Sequence, residues 1–246
     1  MLTVVAVLAL VQSLFGVGML LFGTPILLMM DFAFRDALCL LLPASLTISL
    51  LQLIIDRGVD RYSIGKFFLS AGPFLVIGLF VSLAGLMKVK VDLIVAALLM
   101  ASSLLRLSPR LGQFVKALMD RNEHGALAVI GLVHGMTNMG GSLLAIYAAT
   151  RFGEKIAIRQ NIALGYAVFA ATQLLTLLLT YPQGFHGWLA YATVAGAVFL
   201  VVGRATFKGL SHRSFQGLMC VFMMICAVLL ITKSLHPEIF NMRILS

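Results

Sequence analysis

Charge is scarce in this chain. Asp, Glu, Lys and Arg make up 11% of its 246 residues, against 61% hydrophobic types. A soluble domain carries roughly a quarter charged residues, so too little polar surface exists to cover a water-soluble globule. Hydrocarbon must be the solvent for most of the exterior. The apolar segments hold no paired carboxylates, no cluster of metal ligands and no Ser/His/Asp set in a workable frame. No catalytic residue, metal site or cofactor is therefore expected. The mid-membrane Asp or Glu of a proton relay is also missing, which argues against a carboxylate-based cation pump. Cysteine is limited to Cys39, Cys220 and Cys226, all within apolar segments and without metal or redox spacing. They read as small packing residues. The N-terminus has no basic n-region and no small-residue cleavage site, and reads as retained structure.

What is present is a succession of apolar segments, at 2–30, 37–55, 64–87, 91–106, 125–150, 161–181, 187–203 and 214–235. A spanning helix needs about 20 apolar residues, so these segments use nearly the whole chain and leave no room for an extramembrane domain. The fold class is an all-α membrane protein, multi-pass in a cell membrane and placed in the bacterial inner membrane. The net charge of +9 comes from Lys and Arg in short loops. That distribution suits membrane orientation and anionic headgroups, not nucleic acid. Trp188, Tyr181 and Tyr191 lie near a segment end, as an interfacial belt does. The methionines read as lipid-facing or gap-filling.

The first and fifth segments are long and broken near the middle. The first break is Gly16-Val17-Gly18, followed by Gly23-Thr24-Pro25; the second runs from Gly135 to Ser142. A shift of 122 places Gly18 on Gly140 and Gln12 on His134, and Gly78/Gly85 share their spacing of seven with Gly196/Gly203. These four glycines fit close helix packing. The chain thus reads as two homologous four-segment repeats, 1–106 and 125–246, each starting with a broken or re-entrant helical hairpin. Repeats with broken helices at matching positions are a sequence pointer to a transporter site. Between them, 107–124 reads as an amphipathic linker helix. Ser108 serves as cap and Pro109 as first residue, with Leu111, Phe114, Val115 and Leu118 on one face for the headgroup region.

Counting basic residues separates two topologies. If segments one and five span, nine Lys or Arg fall on each side and no orientation results. If they dip in and return, one side collects Arg57, Arg61, Lys66, Arg106, Arg110, Lys116, Arg121, Arg151, Lys155, Arg159, Arg204, Lys208 and Arg213. The other keeps Arg35, Lys88, Lys90, Lys233 and Arg243. Thirteen against five suits the positive-inside rule. The count favours re-entrant hairpins, three crossings per repeat, inverted repeats and both termini outside the cytoplasm.

At mid-membrane the remaining polar groups are amides, hydroxyls and glycine backbone. The start of a half-helix presents free N–H groups and the positive end of the dipole, and glycine lets the backbone come close to a ligand. The expected substrate-binding residues are Gly16, Gly18, Thr24, Pro25, Thr137, Asn138, Gly140, Gly141 and Ser142, facing each other as a neutral cage for a small anion. Gln12 and His134, one turn before each break, are further candidates. So are Arg35 and Arg159, as an electrostatic funnel or as membrane-surface anchors, and Asn161 as an extra donor. Gln173 reads either as a donor or as an interhelical bond.

At the breaks the sequence resembles the TauE/SafE family of sulfite exporters (TSUP family). The family motif is a Gly-x-Gly-Gly-Gly run followed by a proline, once per half. Here the copies are Gly16-Val17-Gly18-Met19-Leu20 with Pro25, and Asn138-Met139-Gly140-Gly141-Ser142 with Tyr147 where proline would stand. Arg35-Asp36-Ala37 matches the family's Arg-x-Ala; in the second half Arg159 matches and Asn161 replaces the alanine. The resemblance implies a secondary carrier or exporter of sulfite, a sulfonate or a related organic anion, with no enzymatic activity. Two other functions fit the residues alone. One is a passive channel or cation or metal permease using helix C-terminal carbonyls; the other is a non-transporting membrane scaffold. Nothing in the sequence specifies an oligomer face.

Overall fold

The structure, a computed structural model, describes residues 1–15, 18–56, 61–85, 91–152, 154–203 and 212–236, and every regular element among them is helical. The helices are α1 (Leu2–Phe15), α2 (Met19–Met29), α3 (Phe34–Asp56), α4 (Arg61–Leu83), α5 (Val91–Leu107) and α6 (Pro109–Arg121). Then come α7 (Glu123–Thr137), α8 (Gly140–Arg151), α9 (Lys155–Thr180), α10 (Trp188–Val198) and α11 (His212–Leu235). A π-helical turn, Phe199–Gly203, prolongs α10. Among the described residues three stretches are long and apolar enough to cross a membrane by themselves: Phe34–Asp56, Ser63–Leu83 and Ile156–Thr180.

Local chemistry sets the boundaries. Ser108 Oγ accepts from the Leu111 N–H at 3.4 Å, with Pro109 opening α6. That helix leaves the line of α5 at 102° with Leu111, Phe114 and Leu118 exposed. Asn122 Oδ1 accepts from the Gly125 N–H at 2.9 Å and opens α7. α7 stops where Asn138 turns left-handed (φ 64°, ψ 10°), with its N–H bonded to the His134 carbonyl at 2.7 Å; Asn tolerates that conformation better than most residues.

Both broken segments double back. Glu123, at the start of α7, meets Tyr147 and Arg151, at the end of α8. In the first hairpin, α2 begins against α1: a Cβ on Gly18 would lie 2.8 Å from the Gln12 nitrogen, and one on Gly23 would lie 3.0 Å from a Leu8 methyl. A straight helix would hold Leu8 and Gly23 about 22 Å apart. The second break is narrower than the Gly135–Ser142 stretch expected from the sequence, because Gly135 stays inside α7. There it lets α7 lie on α4: a Cβ on Gly131 or Gly135 would collide with the carbonyls of Ala71 or Leu75, and one on Gly78 with that of Leu132. Gly196 packs on Thr47 and Gly203 on Ser13. Gly85 differs from the packing expected of it. It is exposed, has open space around its Cα and ends α4 in a left-handed turn (φ 64°).

The helix pairings come in matching sets. α4 packs on α7 and on α9; α10 packs correspondingly on α1 and on α3; α3 pairs with α9 and α5 with α11. α3 and α9 run antiparallel. Arg159 near the start of α9 clamps Asp56 at the end of α3, and the Arg35 guanidinium near the start of α3 sits 3.7 Å over the Tyr181 ring just past α9. The core between these helices is apolar, with Leu38, Leu41, Ile48, Phe67, Tyr166 and Phe169 fully buried.

Candidate functional site

The two hairpin breaks meet inside the bundle. The Asn138 side-chain amide, at the second break, donates to Thr24 Oγ1 in α2 at 2.8 Å, across 114 residues of sequence. Both side chains are fully buried. Pro25, buried beside Thr24 in α2, has no N–H for the carbonyl four residues back. Gly140 and Gly141 bring the start of α8 against its surroundings. A Cβ on Gly140 would lie 2.5 Å from the His134 Cβ, and one on Gly141 would overlap the Tyr166 hydroxyl. Gly16 lies outside the described residues.

The break residues differ in how their polar atoms are used. Thr137 Oγ1 donates to the Val133 carbonyl at 2.7 Å and accepts from the Met139 N–H at 3.2 Å. Ser142 Oγ donates to the Met139 carbonyl at 3.1 Å and sits 2.7 Å from Ser102 Oγ of α5. These hydroxyls stitch the turn. Asn138 Oδ1 is buried with no hydrogen-bond partner.

Gln12 and His134, one turn before each break, are both 0% exposed, yet their surroundings are opposite. Gln12 Nε2 donates to the Ser45 carbonyl at 3.1 Å and to Ser49 Oγ at 3.2 Å. Its Oε1 accepts from Ser45 Oγ and from the Met19 N–H, each at 3.2 Å. Gln12 therefore caps α2, while Gln52 Nε2 of α3 donates to the Gln12 carbonyl at 3.3 Å. His134 packs against Tyr166 (ring centroids 6.0 Å) and Phe169 (4.7 Å) of α9. The Gln173 side chain lies beside the ring. Neither ring nitrogen of His134 and neither amide atom of Gln173 meets a hydrogen-bond partner.

The remaining candidates are held elsewhere. Arg159 is tied to Asp56, and Gln160 Nε2 donates to the Asp56 carbonyl at 2.7 Å. Arg35 is exposed on Tyr181. Asn161 Nδ2 donates back to the Ala157 carbonyl at 3.0 Å. Among the described residues, neither of two open cavities is lined by break residues. One, about 650 Å³, lies between α4 and α7 beside Lys66, Ser70 and His124. The other, about 360 Å³, lies beside Asp36, Cys39, Tyr181 and His186. The breaks themselves are closed in by packing. Among the described residues no group of three or more His, Cys, Asp or Glu side chains could hold a metal ion.

At the mouth of the second hairpin, Glu123 pairs with Lys66 at 2.8 Å and lies 3.7 Å from Arg151, while the Tyr147 hydroxyl donates to it. Burial works against its ionisation, but Lys66, Tyr147 and Arg151 together hold the carboxyl below its ordinary value.

The breaks, with Gln12 and His134 one turn before each, stand where the sequence places them. Tyr166 does not stand out there, and Gln173 remains ambiguous, because both reach the site only through the packing of α9. The spacing of Gln52 behind Gln12, 40 residues, and of Gln173 behind His134, 39 residues, was the available signal.

The family model for the sulfite exporter TauE/SafE matches residues 1–230 of the chain. Neither curated proteins nor solved structures offer a match.

Proposed function

The chain belongs to the sulfite exporter TauE/SafE family, and from that premise we propose that it carries a small sulfur oxyanion through the point where its two hairpin breaks touch. The family is one of membrane transporters, not of enzymes, and its substrates are small sulfur-containing anions. The finer proposal is a secondary carrier of sulfite, a sulfonate or a close relative, multi-pass in a bacterial inner membrane. The observation that carries the site assignment is the buried Asn138–Thr24 hydrogen bond at 2.8 Å, which joins the two half-helix turns. Irregular backbone at membrane depth is tolerated where protein encloses it or where it lines a pathway, and half-helix N-termini favour anions. Gly18, Gly140 and Gly141 permit the close backbone approach; Thr24, Thr137, Asn138 and Ser142 shape the turns around it.

The proposed topology has six crossings in two inverted repeats, 1–106 and 125–246, joined by the interfacial linker 107–124. Five polar contacts support it. Lys66–Glu123–Arg151 and Arg159–Asp56 group residues that the re-entrant count places on the basic side. Lys233–Asp31 and Arg35–Tyr181 group residues of the opposite side. A spanning fifth segment would put Lys66 and Arg151 on opposite faces. Antiparallel α3 and α9, equivalent helices of the two repeats, suit inversion as well. Rocking one repeat against the other would then open the buried breaks to each side in turn.

Purified protein in proteoliposomes tests this with radiolabelled sulfite. Sulfite flux in wild type, lost in N138L with insertion retained, is the expected result. Flux that follows a cation gradient and ignores sulfite would favour the permease reading, and no flux of any kind the scaffold. Maleimide labelling of H236C and N122C from one side checks the topology: the two should label from opposite faces, and labelling from the same face, as eight crossings require, would defeat the inverted arrangement.

A further inference from the structure

The transport reading leaves a group of buried polar atoms unexplained. Both nitrogens of His134, both amide atoms of Gln173 and the carbonyl oxygen of Asn138 are fully enclosed and unbonded. Buried polar groups are almost always paired, and each orphan calls for an explanation. These five atoms belong to α7, α9 and the second break. At the first break the equivalent side chain, Gln12, is saturated. Beside it Gln52 Oε1 is also left unbonded, so the orphaned atoms are concentrated at the second hairpin rather than shared equally between the two.

Their chemistry is mixed. A neutral imidazole offers one donor and one acceptor, and a glutamine amide offers both. The Asn138 amide nitrogen is committed to Thr24, which leaves its carbonyl as an acceptor. Among the described residues no hydrogen bond joins them to a Lys or Arg. Of the titratable groups on the surrounding helices, Tyr166 of α9 faces the ring. Lys66 of α4 and Arg151 of α8 are engaged with Glu123, and Arg159 of α9 with Asp56, all at helix ends. A dianion buried here would lack a counter-charge, which is costly. A guest with acceptor oxygens alone would also leave the Asn138 carbonyl facing oxygen.

We propose that His134, Gln173 and the Asn138 carbonyl form the specificity site of the carrier, selecting a monoanion that bears its own O–H or N–H over a dianion or a donor-free monoanion. The inference rests on the transport reading above. The guest's oxygens accept from the imidazole N–H and from Gln173 Nε2, and its hydrogen is donated to Asn138 Oδ1 or to the second ring nitrogen. For sulfite this is the singly protonated form. A site built to bond a substrate hydroxyl rejects the analogue that lacks it far more strongly than an apolar pocket distinguishes shapes.

Competition against radiolabelled sulfite in proteoliposomes reads this directly, with 2-hydroxyethanesulfonate and ethanesulfonate as probes of equal charge that differ by one hydroxyl. Wild type should prefer the hydroxylated probe by at least about tenfold. Q173L should erode that preference, whereas H134Q, which keeps a donor and an acceptor, should retain most of it. At fixed total sulfite, wild-type flux should rise with the hydrogensulfite fraction. Equal inhibition by the two probes in wild type would overturn the proposal, and that arm needs no variant to fold. So would an undiminished preference in Q173L that unfolds thermally like wild type. Complete lack of sulfite flux would instead sink the transport reading, which separates the two failures.

Discussion

The two hairpin breaks occupy matching places in the chain and are built in opposite ways. At the first, one glutamine does the work of a cap. Gln12 binds Ser45, Ser49 and the Met19 N–H, so that the start of α2 is fixed by side chains of α1 and α3. At the second, His134 stands in the same register and bonds to nothing. An unsatisfied buried group costs about 1–3 kcal/mol, so the second hairpin, with five such atoms around it against the Gln52 Oε1 of the first, is held closed at the greater cost. The lesson is a division of labour. The first hairpin is an anchored frame, and the second carries the polar groups that gain partners when the packing around it opens.

Mutations can break this contrast. The largest effect is expected of Gly141→Leu, whose side chain would overlap the Tyr166 hydroxyl. It should abolish flux, measured in proteoliposomes, while the protein still inserts. Next comes the paired test of the comparison. Gln12→Leu strips partners from Ser45, Ser49 and the Met19 N–H and should destabilise the protein by about 3 kcal/mol. His134→Leu removes at most the loose approach of Gln173 to the ring and should stay within about 1 kcal/mol of wild type, yet lose transport. Equal thermal shifts for the two variants would erase the proposed distinction.

A smaller effect, about 1–2 kcal/mol, is expected of Thr24→Val, which orphans the Asn138 amide. Adding Asn138→Leu should cost less than the sum of the single changes, as a double-mutant cycle would show. The smallest concerns the hairpin mouth. Glu123 has a lowered pKa when folded, so its stabilising contribution is full above the unfolded carboxylate value. That contribution is lost as pH falls through the lowered folded value. Glu123→Gln should lower the melting temperature slightly at pH 7 and flatten the loss of stability below about pH 4.5, followed by thermal unfolding across pH.

Much of the helical order was legible in the sequence, because in hydrocarbon every apolar run must satisfy its own backbone. α1 ends at Phe15 and α6 opens on Ser108-Pro109 as the residues suggest. The doubling back of the fifth segment was legible only indirectly, through the distribution of Lys and Arg; the Glu123–Arg151 contact gives it directly. What could not be read was satisfaction. Gln12 and His134 share a register, and nothing local says that Ser45 and Ser49 wait opposite one while Tyr166 and Phe169 flank the other. Gly135 looked like part of a break because glycine serves close packing and irregular backbone equally well; only the neighbouring Leu75 carbonyl decides.

Cross-linking tests the central claim most directly. In a background where Cys39, Cys220 and Cys226 are replaced, T24C and N138C should form a bond under mild oxidation that ties the two repeats together. Failure to cross-link under conditions that oxidise a control pair on α4 and α7 would contradict it.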